Sequence, residues 1–265
     1  CKVLAPEILA IIPALQTFSV QFGSRKGQLG FWVLSTDTGI DLSVEGMEHQ
    51  LEKDLGLFAL WAGSNGIARL SIGNEIICQH QAPQLTFGKV TVSTPPRAFT
   101  QATPQGEKTL QDAVGLALAG ADKVIDLFSG VGTLSLPLAG VATLHCVEND
   151  KGLLDALAHG VRHTQGIKSV TTSARDLYRN PVDHTDLIKF NAAIVDPPRA
   201  GAEKQVQQLA QSSVPDIAMV SCNPVSFARD ANILCAGGYM LKWVEVVDQF
   251  RWSPHIEIVA HFHKA

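Results

Sequence analysis

Lys123-Val-Ile-Asp-Leu-Phe-Ser-Gly-Val-Gly132 reads as a short buried strand, Lys123 to Phe128, running into a glycine turn. Thr133 to Ala139 then reads as the opening of a helix. A strand, a tight glycine turn and a helix make one half of a βαβ unit, and the units on either side repeat it. Upstream, Thr103 to Ala119 has helical spacing; downstream, Thr143 to Val147 is a strand and Gly152 to His163 a helix. Ala192 to Val195 and Ile217 to Ser221 are further strands, with helical segments at Lys204–Gln211 and Phe227–Leu234. Tyr239 to Val247 and Ile256 to Phe262 close the chain as two strands able to pair as an antiparallel edge. Strands alternating with helices predict an open, largely parallel α/β sheet.

The first part of the chain reads differently. After an amphipathic stretch from Cys1 to Val20 come β-branched or alternating runs at Thr17–Phe22, Leu29–Ser35, Ala68–Cys78 and Leu85–Val92. Turns such as Gly63-Ser64-Asn65-Gly66 and Gly73-Asn74 separate them, and Ser93-Thr94-Pro95-Pro96 closes the region. This predicts a β-rich region over 1–97 and an α/β domain over 98–265. No internal repeat is visible.

Composition narrows the function classes. The 265 residues carry a formal net charge of -4, which argues against a protein that holds nucleic acid by charge alone but allows a local basic patch. No apolar run is long enough to span a membrane and no signal peptide is visible. The five cysteines, Cys1, Cys78, Cys146, Cys222 and Cys235, are odd in number and form no CxxC, so a reducing, cytoplasmic setting is expected. A start at Cys1 rather than Met predicts a fragment of a longer protein.

Three stretches carry chemistry. In the glycine turn, Gly130 and Gly132 allow a sharp bend and close approach of a ligand. The third glycine of a dinucleotide fingerprint is replaced by Ser135, and the next strand ends at Glu148, placed to accept from ribose hydroxyls. This pairing suits an adenosyl ligand without phosphates. Asp196-Pro-Pro-Arg-Ala-Gly201 ends the next strand, where open α/β sheets bind ligands; its prolines give Asp196 a stiff support facing the cleft. In methyltransferases of base amino groups, an aromatic residue follows such prolines, whereas Arg199 follows here. Ser221-Cys-Asn-Pro224 puts Cys222 at the same sheet edge, ahead of a helix N-terminus able to lower a thiol pKa. Cys78, Cys146 and Cys235 read as packing residues.

Asp126-Leu-Phe-Ser-Gly-Val-Gly-Thr-Leu-Ser-Leu-Pro137, Asp196-Pro-Pro-Arg-Ala-Gly201, Ser221-Cys-Asn-Pro224 and His255-Ile-Glu257 occur in that order. Together they resemble the RNA uracil-5-methyltransferases, strongly over 98–265 and more weakly over 1–97. The resemblance implies a Rossmann-like class I methyltransferase sheet, S-adenosylmethionine as methyl donor and RNA as partner, ribosomal RNA first; no membrane or protein partner is expected. It implies Cys222 as nucleophile and Glu257 as general base. Carbon 5 of uracil is a poor nucleophile until a thiolate adds at carbon 6, and the carbon 5 proton then needs a base. It further implies Gln101, Phe128, Gly130, Gly132 and Thr133 about the cofactor, Glu148 on its ribose, Asp176 on its adenine, and Asp196 near the target base and the cofactor's amino group.

The sequence departs from the family at Ser129, where Cys is frequent, and at Thr133, often Asn. Many members add an N-terminal OB-like RNA-binding domain and four cysteines holding a [4Fe–4S] cluster. Cys1-Lys-Val-Leu-Ala-Pro6 resembles the segment around the fourth ligand. One cysteine holds no cluster, so a cluster is expected only in a longer protein and no metal in this chain. Three alternatives remain at this point. An RNA cytosine-5-methyltransferase typically uses two cysteines, one after proline, and no Pro-Cys occurs. A nicotinamide-dependent oxidoreductase lacks its third glycine. A non-catalytic RNA-binding scaffold is opposed by the acidic balance and by the intact Cys222 and Glu257.

Overall fold

The structure, a computed structural model, describes residues 3–24, 27–48, 51–250 and 252–265. It divides into two units, Cys1–Thr86 with Val92–Phe99, and Phe87–Thr91 with Thr100–Ala265. Residues 87–91 therefore group with the second unit rather than with the region expected over 1–97.

The first unit is a four-stranded sheet with two helices. Its elements are α1 (Pro6–Phe22), β1 (Gly30–Thr36), β2 (Gly39–Glu45), α2 (Leu51–Ser64), β3 (Ile67–Ile72) and β4 (Glu75–Gln79), with strand order β1-β2-β3-β4. Thr17–Phe22, expected as a β run, is the end of α1. Ile8, Ile11, Leu15, Phe18 and Phe22 recur every three or four residues and pack on one core, which outweighs local β propensity. One further helix, α2, turns Phe58, Trp61 and Ala62 into the same core. Phe18 meets Trp61 edge-on at 4.7 Å and Phe22 meets Phe58 at 4.9 Å. The α2 crossover lets β3 lie parallel to β2. On these strands Asp41 and Arg69 are register partners and form a buried bidentate pair at 2.9 and 2.6 Å, with Arg69 also donating to the Thr94 carbonyl.

The second unit carries a seven-stranded sheet ordered β12-β13-β11-β10-β7-β8-β9. Its strands are β7 (Lys123–Leu127), β8 (Thr143–Glu148), β9 (Val170–Ala174), β10 (Ala192–Val195), β11 (Asp216–Ser221), β12 (Met240–Val247) and β13 (Glu257–His263). Strands β7 to β11 pair parallel, and β13 is antiparallel to both β11 and β12. The helices are α3 (Pro104–Ala117), α4 (Lys151–Arg162), α5 (His184–Leu187), α6 (Glu203–Gln211) and α7 (Pro224–Ala236). Ile125, Leu127, Val195, Met219, Ala260 and Phe262 are buried in its core. Two short strands, β5 (Gln84–Phe87) and β6 (Val90–Ser93), form a separate two-stranded sheet. Among the described residues no helix is long and apolar enough to cross a membrane.

The helix expected from Thr133 is only a 3₁₀ turn, Leu136–Leu138. Pro137 has no N–H with which to continue an α-helical ladder. The Thr133 carbonyl it would have reached accepts instead from Gln111 Nε2 at 3.0 Å.

The strand order explains the position of the site. From β7 the chain passes to β8 and β9 on one side, then returns to β10 and β11 on the other. The order reverses between β7 and β10, and the crevice beyond the carboxyl ends there is where such sheets bind ligands.

Candidate active site

The loop after β7 is built for close approach. Phe128 takes φ +66, Gly130 φ +54 and Gly132 φ +88. A Cβ on Gly132 would lie 2.7 Å from Leu136 Cγ, so glycine is required there. The N–H groups of Phe128 and Ser129 both donate to the Val147 carbonyl, at 3.0 and 3.1 Å. The Phe128 ring lies 5.5 Å from that of Tyr178. Beneath the loop, Asp126 is buried and pushed up to about 7, by burial first; a Ser135 hydrogen bond opposes the shift and the Glu148 charge adds to it. Asp126 Oδ2 and Ser129 Oγ are buried without a hydrogen-bond partner. Buried polar atoms are rarely orphaned, so this pair marks a place where a polar ligand or its water completes the bonding. Together with the glycine cradle, it fits the adenosyl group expected from the sequence.

The residues expected around that group lie along the same edge. Glu148 ends β8; one oxygen accepts from Gly130 N at 3.0 Å and the other from Asn149 N and Asp150 N, at 2.6 and 3.0 Å. It thus braces the glycine loop, and carboxylate oxygens keep further lone pairs for a ribose. Asp176, just past β9, accepts from Tyr178 N and Arg179 N at 3.0 and 3.2 Å. Thr133 is half-buried beside Gly132. Gln101 accepts from Gln249 Nε2 at 2.9 Å, and Gln249 Oε1 accepts from Thr103 N at 3.4 Å. Gln249 is 3% exposed and comes from the loop between β12 and β13. No sequence signal pointed to it, nor to the orphaned Asp126 and Ser129 pair.

Across the reversal point, β10 delivers Asp196, whose N–H donates to the Leu127 carbonyl at 3.3 Å. The Asp-Pro-Pro-Arg loop is fastened to α7. The Arg199 carbonyl accepts from Asn223 Nδ2 at 3.0 Å and Ser226 Oγ at 3.1 Å, and Ala202 N donates to buried Asp230 at 2.7 Å. Arg199 Nη2 donates to His255 Nδ1 at 3.0 Å, linking this loop to the start of β13.

Cys222 and Glu257 meet through strand register. Ser221 of β11 pairs with Ile258 of antiparallel β13, so the next residue of one strand faces the preceding residue of the other. Glu257 is 7% exposed, and burial pushes its carboxyl up to about 7. Asp196 is pushed up to about 8 by burial, then by the charges of Glu257 and Asp126. The expectation of a lowered Cys222 pKa is not met. Burial raises it, and the Glu257 and Asp196 charges raise it further; Arg199 opposes them. Asn223 caps α7, its side chain accepting from Val225 N, so Cys222 stands outside the helix end. Cys146 is buried and Cys78 half-buried, but Cys235 is exposed and no packing residue. Cys1 lies outside the described residues.

The profile of the family described as tRNA (Uracil-5-)-methyltransferase matches residues 89–265. An uncharacterized RNA methyltransferase of Rhizobium meliloti is 42% identical over 100% of this chain and 64% of its own length. A 23S rRNA (uracil(1939)-C(5))-methyltransferase of Shewanella halifaxensis is 28% identical over 99% of this chain and 61% of its own. The chain thus spans somewhat under two thirds of the curated relatives it matches. The crystal structure of a Pyrococcus abyssi tRNA (uracil-54, C5)-methyltransferase in complex with S-adenosyl-L-homocysteine superposes with a TM-score of 0.74, at 21% identity, over 96% of this chain and 66% of that one. That likeness establishes the fold as a class I methyltransferase sheet. Matched over residues 89–265 by the family profile, this chain belongs to the tRNA (uracil-5-)-methyltransferase family.

Proposed function

We propose that the chain methylates carbon 5 of a uridine in RNA, with Cys222 as nucleophile and Glu257 as the base that removes the carbon 5 proton. The observation that carries this is the register of β11 and β13, which puts a thiol and a buried carboxyl opposite each other at the ligand-binding edge. S-adenosylmethionine supplies the methyl group as an electrophile. Cys222 gives its proton to solvent and forms an S–C6 bond; the electron pair moved to carbon 5 makes the new C5–methyl bond as the bond from the methyl to the sulfonium sulfur breaks, and S-adenosylhomocysteine leaves. The Glu257 carboxylate then takes the carbon 5 proton, the C5=C6 bond re-forms and the S–C6 bond breaks, returning the thiolate. Glu257 works as a base only when ionised, and a pKa near 7 makes it both available and basic at neutral pH.

Gly130, Gly132, Phe128 and Thr133 would cradle the cofactor, Glu148 its ribose, Asp176 its adenine, and Gln101 its region of the cleft. Asp196 would hold the amino group or the target base. Residues 1–97 face the RNA in this proposal. Ribosomal RNA is the favoured substrate because a relative aligned over almost all of this chain is described as acting on 23S rRNA. A [4Fe–4S] cluster would belong to the longer protein.

The test is covalent trapping with 5-fluorouridine-containing ribosomal RNA and transfer RNA fragments plus S-adenosylmethionine. Fluorine cannot leave as a proton, so the enzyme stalls as a protein–RNA adduct. An adduct with wild type and none with Cys222→Ala supports the mechanism, and the RNA that forms it identifies the substrate class. Methylated product without any adduct would refute the covalent route.

A further inference from the structure

At the pole of the sheet away from Cys222, Asp216, His261 and His263 offer three metal-type ligand atoms that lie within 4.8 Å of one another. Asp216 opens β11 and is the register partner of His263 on β13. His261 stands two residues earlier on β13, hence on the same face as His263. Both rings turn to one carboxylate oxygen: His261 Nε2 lies 2.7 Å and His263 Nδ1 2.9 Å from Asp216 Oδ1. Six residues of extended strand separate Asp216 from Cys222, about 20 Å, so the cluster is no part of the catalytic edge.

We propose that this cluster binds a divalent transition-metal ion of the zinc class. Two imidazole nitrogens and one carboxylate oxygen are a donor set such ions favour, and three protein ligands leave a position for water. All three side chains are partly open, at 15%, 36% and 30% exposure for His261, His263 and Asp216, so an ion has a route in. They stand on hydrogen-bonded neighbouring strands, which fixes their spacing before binding. The neighbouring cation is engaged elsewhere: Lys264 Nζ donates to the carbonyls of Ala210 and Ser212, at 3.1 and 3.2 Å. Trp243 of β12 lies 5.9 Å from the His261 ring and forms one wall. Bound there, the ion would join β13 to β11.

The test uses the full chain with zinc chloride in isothermal titration, and with cobalt(II) as a spectroscopic probe. Expected is one equivalent bound per chain and a metal-dependent rise in Tm. His261→Asn/His263→Asn should abolish that equivalent. Asp216→Asn, which keeps a hydrogen-bond acceptor for both rings, should weaken it by more than about tenfold while circular dichroism stays native. His159→Asn/His163→Asn alters a different close histidine pair, at the end of α4 with rings 4.3 Å apart, and should leave the equivalent intact. No bound equivalent, or one that survives the Asp216 and His261/His263 changes, would mean a purely hydrogen-bonded triad and overturn the proposal.

Discussion

Asp126→Asn isolates the cost of ionising a carboxyl sealed beneath the glycine loop. Asp126 is 2% exposed, and its pKa stands at about 7 against an ordinary 3.8. Between those two values the folded chain keeps a proton that the unfolded chain has released, so stability declines as pH rises. Below the lower value both states hold the proton and the penalty is absent; above about 7 both have lost it and the penalty is complete. Three units at ~1.36 kcal/mol each amount to roughly 4 kcal/mol. Between about pH 5 and about pH 8 the part still to develop is roughly 2.5 kcal/mol. Asparagine cannot ionise, so its stability relative to wild type should improve by that amount over the same range. The variant places an amide NH₂ where Oδ2 finds no partner, which lowers its stability by about 1–3 kcal/mol at every pH and leaves the slope alone. Because Asp196 and Glu257 titrate in both proteins, the difference between the two removes most of their contribution. The assay is urea unfolding of both proteins across this pH range, without cofactor, fitted over the same transition. A wild-type-minus-variant difference that stays flat from about pH 5 to about pH 8 would show that Asp126 is not held protonated, and would refute the reasoning.

Three further outcomes follow from the site. Turnover should rise about tenfold between pH 6 and pH 8 as Glu257, raised to about 7, becomes ionised, with the raised Cys222 thiol adding to the same trend; a stopped assay of methylated RNA across that range checks it. Glu257→Gln should lower kcat by about 10²–10⁴ and leave an adduct on ordinary uridine RNA visible by denaturing gel, whereas rapid release with no adduct would assign the proton to another base. Gly201→Ala would place a Cβ 2.5 Å from Arg229 Nη2 and 2.6 Å from Asp230 Oδ2 at φ +77, so a loss of about 1–3 kcal/mol in thermal unfolding is expected.

Much of the second unit was legible because its strands are continuous apolar runs between turns. Ala192–Val195 is a strand with those bounds in both sequence and structure, and the two last strands do form the antiparallel edge. The first unit was harder. In β2, Asp41 and Ser43 alternate with Ile40, Leu42 and Val44, a sound strand pattern, yet the run was not recognised among its glycines and charges. Its polar residues are buried because Arg69 and Ser71 on β3 satisfy them, and pairing of that kind is invisible in one strand's sequence. At the site, the motifs located Cys222, Asp196 and Glu257 individually. Local sequence shows the helix ahead of the thiol, but neither the burial that chiefly raises its pKa nor the two carboxyls that other strands bring alongside. Gln249 illustrates the same limit: a glutamine in a loop has meaning only once Gln101 and Thr103 are found against it.

β13 follows β12 in sequence but is not the edge of the sheet. It lies between β11 and β12, so a strand made after both of its neighbours is wedged into the interior between them. Until it enters, β11 and β12 are both open edges and Cys222 has no carboxyl from Glu257 beside it. A nascent chain therefore carries the Cys222 thiol without the Glu257 carboxyl beside it until β13 has been made and has entered the sheet.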